Sequence, residues 1–126
     1  MTCPFCTIPD DRIVEKNNYG FVISDGFPIS EGHTLIIPYR HSGSWFETSE
    51  IERTALLDLL SAAQLRLKEQ FRPDGFNIGI NDGPAAGQTV PHLHIHLIPR
   101  YAGDSHDPRG GVRWIIPEKA DYWSKR

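Results

Sequence analysis

The stretch Gln88-Thr-Val-Pro-His-Leu-His-Ile-His-Leu-Ile-Pro-Arg100 constrains this chain more than any other. His92, His94 and His96 alternate with Leu93, Ile95 and Leu97, which is the period of a half-buried β-strand. The imidazoles then fall on one face, and the aliphatic side chains anchor the other in a core. Residues two apart on a strand are separated by roughly 6.6–6.8 Å, so the histidines form a row. One histidine on an apolar strand is usually a satisfied structural residue. Three on a single face fill a core badly, because each needs polar partners when buried. The row points to chemistry or to metal binding.

A chain of 126 residues is one domain on length, long enough to bury a core without staples. Its net charge of −3 argues against non-specific binding to a nucleic-acid polymer, which needs a basic surface. No apolar run reaches the roughly 18 residues of a membrane span, and no signal peptide is evident, so the expectation is a soluble, cytoplasmic protein with no membrane partner. Cys3-Pro-Phe-Cys6 leaves three readings open: a redox pair, a disulfide, or half of a metal site. In a cytosolic chain the stable disulfide is the weakest of them.

Strands are expected over 12–15, 19–24 and 33–38, the last ended by Pro38. The Gly- and Pro-rich loop 25–32 puts Asp25 and His33 at its two ends. Ser49 and Glu52 fit a capping box that opens a helix. From there Ile51, Ala55, Leu56, Leu59, Leu60, Ala63 and Leu67 recur at three- and four-residue steps, with Leu57 and Leu65 widening the apolar face and Glu52 on the polar one. The helix should stop after Phe71, before Pro73 and Gly75. A strand over 76–81 and the glycine-bearing loop 82–89 then bring Asn81, Gln88 and Thr89 near the histidines. Beyond Tyr101 the chain reads as a loop, a last short strand over 112–116 and a tail. Arg109 and Arg113 are candidates for distal phosphates there, with a solvated loop as the default.

The run His92-Leu-His94-Ile-His96-Leu-Ile, the preceding Asp82-Gly-Pro-Ala-Ala-Gly-Gln88, and Gly32-His33 followed by Leu35-Ile-Ile-Pro38 together resemble the histidine triad (HIT) superfamily. Its fragile-histidine-triad and bacterial members are the most similar. The resemblance implies a single α+β domain over 1–126: an antiparallel sheet of about five strands with one long and one short helix. The core is then about residues 3–101, with 102–126 as a C-terminal extension. It also implies a homodimer in which two sheets join.

In function, the resemblance implies hydrolysis of dinucleoside polyphosphates such as diadenosine tetraphosphate, releasing a nucleoside monophosphate. His94 is then the nucleophile that forms a covalent nucleotidyl-histidine. A backbone carbonyl accepting its Nδ1 proton would free Nε2 to attack. His96 contacts the scissile or leaving-group oxygen, where a protonated imidazole offsets developing charge. His33 is the fourth histidine, expected near His94. Gln88 matches a phosphate-binding glutamine, Asp25 a ribose contact, and Asn81 and Thr89 complete the substrate-binding set. The simpler readings of Asp25 and Asn81 are a turn-forming residue and a strand-end cap. The nucleotide-transferase branch carries Gln at the position of His96, so hydrolysis fits better than transfer. The alternatives are a nucleoside phosphoramidase on the same site, or a nucleotide-binding protein with incidental turnover. Some relatives resemble a further arrangement in which Cys3, Cys6, His41 and His92 hold a structural zinc. No cofactor is needed for the chemical step.

Overall fold

The computed structural model describes residues 3–125. Five strands, β1 (Ile13–Lys16), β2 (Gly20–Ser24), β3 (Thr34–Pro38), β4 (Gly75–Gly79) and β5 (Ile95–Arg100), form one antiparallel sheet in the order β1-β2-β3-β5-β4. The long helix α1 (Glu50–Phe71) lies between β3 and β4 in sequence, and a short α2 (Pro117–Ala120) lies near the C-terminus. This is the expected α+β architecture. No helix among the described residues is long and apolar enough to cross a membrane.

The strand period sorts the core into two faces. Val22, Ile36, Leu93, Ile95 and Leu97 meet Leu56, Leu59, Ala63 and Leu67 of α1 on one side. Phe21, Ile23, Leu35 and Ile37 point to the other side, where Phe5, Ile8 and Ile13 pack against them. Only the first face is covered by α1. The second is left for a site.

Helix α1 starts as its sequence dictates. Ser49 Oγ accepts from Glu52 N–H while Glu52 Oε1 accepts from Ser49 N–H, closing both halves of a capping box. It ends at Arg72, whose own backbone takes the left-handed cap (φ 52°) ahead of Pro73. Its buried stripe is narrower than expected. Ile51, Leu57 and Leu65 are 61%, 48% and 62% exposed, because the helical turn carries them off the line of Leu56, Leu59, Ala63 and Leu67. Glu52, expected on the polar face, is buried, where the Arg40 guanidinium grips both carboxylate oxygens and holds its pKa down at about 2.

Two further expectations are corrected. The ladder of β5 with β3 begins only at the Ile36–Ile95 pair, so His92 and His94 precede the strand. Leu93 N–H donates instead to Ser42 O in the loop after β3, which keeps the segment extended and its alternation intact. The segment expected as a strand over 112–116 is a 3-10 helix, Gly111–Ile115. Gly110 and Gly111 enter it at φ 90° and 45°, and Trp114 Nε1–H donates back to Arg109 O, which curls the chain on itself.

At Gly20 the sheet and the helix approach closely. A Cβ there would sit 2.8 Å from Ile37 O and 2.9 Å from Leu56 Cδ2, and backbone cannot yield cheaply. Gly20→Ala is expected to lower unfolding stability by about 1–3 kcal/mol, as overpacking does. Denaturant titration checks this; an unchanged midpoint would mean that α1 can shift to accommodate a methyl group.

Candidate functional site

Between the uncovered sheet face and the loops around it lies a pocket of about 680 Å³, within the range of small-molecule sites. Its walls include Pro4, Phe5 and Ile8 of the amino-terminal segment, Ile23, Leu35, Ile78 and Ile98 of the sheet, the Asp25–Ile29 loop, the loop leading to the histidines, and Val112 from the 3-10 helix beyond β5. His33, His94 and His96 all line it, together with Asp25, Asn81 and Thr89. Six of the expected catalytic and binding residues are therefore brought together.

His94 Nδ1–H donates to its own chain at His92 O, 2.9 Å away. A carbonyl only accepts, so the proton sits on Nδ1 and the lone pair on Nε2. This is the tautomer expected of a nucleophile. His96 lies beside it, with ring centroids 5.1 Å apart.

His33 lines the same pocket as His94. Its partner is His96, with Nε2 to Nδ1 at 2.9 Å, because β3 and β5 are neighbours and His33 enters β3 on the pocket side. Ile29 N–H donates to His33 Nδ1 at 3.2 Å, which puts the His33 proton on Nε2. That proton faces His96 Nδ1 and leaves the His96 proton on Nε2. The carboxylate of Asp25 stands 3.3 Å from His33 Nε2. Asp25 Oδ1 also accepts from Phe27 N–H at 2.8 Å, so its turn-forming role is present too.

Burial pushes the pKa of both imidazoles down. His33 is lowered by desolvation, partly opposed by Asp25. His96 falls to about 4, through desolvation first and then His94 and His33. Thus the neutral form of His96 is favoured at pH 7, and it offers one Nε2–H. An anion entering the pocket would raise it again.

Gln88 is not among the residues that line the pocket. Its Oε1 accepts from Gly83 N–H at 2.8 Å, and its Nε2 donates to Gly43 O and Val90 O at 2.9 and 3.1 Å. Asp82 Oδ2 accepts from Ser44 Oγ and Trp45 N–H, docking the same loop on the chain after β3. The side chains of Gln88 and Asp82 therefore fix the loop that presents Gly87, Thr89 and Val90 to the pocket. Arg109 and Arg113 are spent elsewhere. Arg109 chelates Asp107 and stacks on Trp123, while Arg113 donates to Ala120 O and stacks on Tyr122.

His92 leaves the row and faces away from the pocket. Its Nε2–H donates to Pro38 O at 2.8 Å, so its Nδ1 lone pair faces Cys3 Sγ at 3.3 Å and Cys6 Sγ at 3.6 Å. Cys6 Sγ is 3.2 Å from His41 Nδ1, and the four donor atoms all lie within 4.8 Å of one another. Donor separations in a tetrahedral Cys2His2 zinc site run to roughly 3.3–3.8 Å, given Zn–S near 2.3 Å and Zn–N near 2.0–2.1 Å. A ligating histidine that gives its other N–H to a carbonyl is the usual supporting arrangement. The residues fit the metal.

The sequence pattern did not flag Phe5, Ile8, Ile23, Leu35 or Arg12 as pocket residues. Phe5 had a signal, an aromatic ring between two metal-spaced cysteines. Arg12 had none.

The HIT domain family matches residues 7–103. The chain belongs to this family. Over 116 residues it is 34% identical to a bis(5'-adenosyl)-triphosphatase of Saccharomyces cerevisiae, covering 90% of this chain and 52% of the yeast protein. A HIT family protein from Bacillus anthracis superposes with a TM-score of 0.76 at 34% identity, covering 81% of this chain and 75% of the other. A zinc-bound histidine triad family protein from Mycobacterium smegmatis gives 0.67 at 34% identity, covering 84% and 80%.

The tautomers and the low pKa of His96 can be read by nitrogen-15 NMR of this HIT protein. At neutral pH the ring protons should sit on Nδ1 of His94 and Nε2 of His96. His96 should protonate only near pH 4. The unfolded imidazole titrates at 6.5, so in this window the unfolded chain binds more protons. Stability should therefore fall as pH drops from 6.5 towards about 4, and His96→Gln should flatten that slope. An Nε2 proton on His94 would contradict the assignment.

Proposed function

We propose that this HIT protein hydrolyses dinucleoside polyphosphates, such as diadenosine tetraphosphate, through a covalent nucleotidyl-His94 intermediate. The observation that carries this reading is the fixed tautomer of His94: the bond to His92 O directs the proton to Nδ1 and leaves a lone pair on a ring that lines the pocket. His94 Nε2 attacks the α-phosphorus, and the bond from phosphorus to the leaving polyphosphate oxygen breaks. Water then attacks the same phosphorus, releasing a nucleoside monophosphate and restoring the imidazole. His96 donates its Nε2–H to the scissile or leaving oxygen, and His33 holds it in that tautomer. Asp25 accepts from the ribose hydroxyls. Asn81 contacts phosphate or ribose, Thr89 completes the substrate-binding wall, and Gln88 acts through the loop it braces. The similarity to the yeast triphosphatase supports the choice of substrate class.

Product analysis of wild type and His94→Ala, with diadenosine tetraphosphate and an adenosine phosphoramidate side by side, tests the reading. Rapid AMP release from the tetraphosphate is expected, with a loss of about 10³-fold or more in the variant. Cleavage of the phosphoramidate alone would move the assignment to a phosphoramidase. Nucleotide binding without turnover of either would make the protein a binder. Activity surviving in His94→Ala would sink the covalent mechanism.

The same reading includes a structural zinc on Cys3, Cys6, His41 and His92, and a homodimer. The donor geometry and the zinc-bound mycobacterial relative support the metal. For the dimer, β4 is an edge strand and Ile78 on it is half exposed. Native mass spectrometry of protein purified without chelator should find two chains and one zinc per chain. A metal-free monomer with both thiols reactive would refute both.

A further inference from the structure

Residues 3–9 bring two things to the body of the protein, a pair of sulfurs and a pocket wall. Cys6 N–H and Thr7 Oγ1–H both donate to Cys3 O, at 3.2 and 3.4 Å, winding the cysteines into a tight turn. Phe5 stands inside that turn. Its ring makes T-shaped contacts with His92 and His94 at centroid distances of 5.9 and 5.0 Å and forms part of the pocket lining with Pro4 and Ile8.

Among the described residues, the backbone hydrogen bond that leaves 3–9 is a local one, from Arg12 N–H to Pro9 O at 3.0 Å, and the turn of Cys3 to Cys6 itself has none to the sheet or to α1. What holds the segment is apolar packing of Phe5 and Ile8 on the sheet, together with the sulfur–imidazole contacts of 3.2–3.6 Å. A thiol is a weak donor, so those contacts alone make a weak latch. Four metal–ligand bonds would make a strong one. With Cys3 and Cys6 both fixed, a turn of four residues leaves Phe5 little room to move.

We infer that occupancy of the Cys3–Cys6–His41–His92 site controls nucleotide affinity, because the metal-latched turn positions Phe5 as the wall against which the nucleoside packs. The coupling rests on the nucleotide reading above. Zinc and nucleotide then each favour the ordered wall, and binding of either tightens the other by one and the same factor.

Zinc and AMP serve as the probes, on the full chain. Zinc affinity is measured by competition with a chromophoric chelator, with and without saturating AMP, after correction for binding of zinc by AMP itself. AMP affinity of the zinc-loaded and chelator-treated chains is measured by calorimetry. Both comparisons should give a factor of about ten, the size of one aromatic–base contact. In the loaded chain, Phe5→Ala should weaken AMP by a similar factor and make zinc affinity independent of AMP. Phe5→Leu, which keeps an apolar wall without a ring, should retain part of the coupling and guards against a folding defect in the alanine variant. Zinc affinity indifferent to AMP, in a chain that binds AMP, would overturn the coupling and leave the nucleotide reading standing. Coupling undiminished in Phe5→Ala would overturn the role of the ring. Failure of the zinc-loaded chain to bind AMP would overturn the nucleotide reading, and the coupling with it.

Discussion

The hydrogen bond from His92 Nε2 to the Pro38 carbonyl carries more of this structure than its size implies. It fixes one ring and thereby assigns three tasks to one residue. With the proton committed to Pro38 at the end of β3, Nδ1 is left to the two sulfurs. The backbone carbonyl of the same residue accepts from His94 and sets the tautomer of that ring. His92 is fully buried, so none of these partners can be replaced by water without opening the core. The amino-terminal turn, the end of β3 and the imidazole of His94 are thus tied together at a single side chain.

Much of this was legible from residue pattern. The alternation of Leu93, Ile95 and Leu97 against His94 and His96 separates a helix-covered face from the pocket face, although His92 leaves the row. Ser49 and Glu52 announce the start of α1, and Pro73 its end. These features are local, and local geometry is what periodicity and capping encode. The carbonyl partner of His94 Nδ1 is an expectation from the resemblance alone, and His92 O stands in that place.

What could not be read depends on which strands become neighbours. His33 pairs with His96 because β3 lies beside β5, a fact that no spacing in the chain states. The exposure of Ile51, Leu57 and Leu65 follows from the width of the sheet surface that α1 covers, whereas the helical pattern alone would admit them to the core. Gln88 shows the same limit in another form. A glutamine before the histidines reads as a phosphate ligand, but its amide has carbonyls of 43 and 90 and the N–H of 83 close at hand once the loop closes. The tail misleads for a simpler reason: Val112 to Ile116 has strand composition, but the paired glycines before it favour a tight coil.

The charges of the pocket set how it can discriminate. Arg109 and Arg113 are held by Asp107, Trp123, Tyr122 and main-chain carbonyls, and neither lines it. Arg12 is the one Lys or Arg side chain among its lining residues, and burial keeps His33 and His96 neutral. A phosphate entering the pocket therefore meets oriented N–H donors more than fixed positive charge. Donors reward the placement of oxygens around one phosphorus, whereas fixed cations reward total charge. On the proposed reading, such a site is tuned to the α-phosphate and comparatively indifferent to what leaves it. That indifference is the physical reason why an anhydride oxygen and an amide nitrogen are both reasonable leaving groups for the same arrangement of His94 and His96.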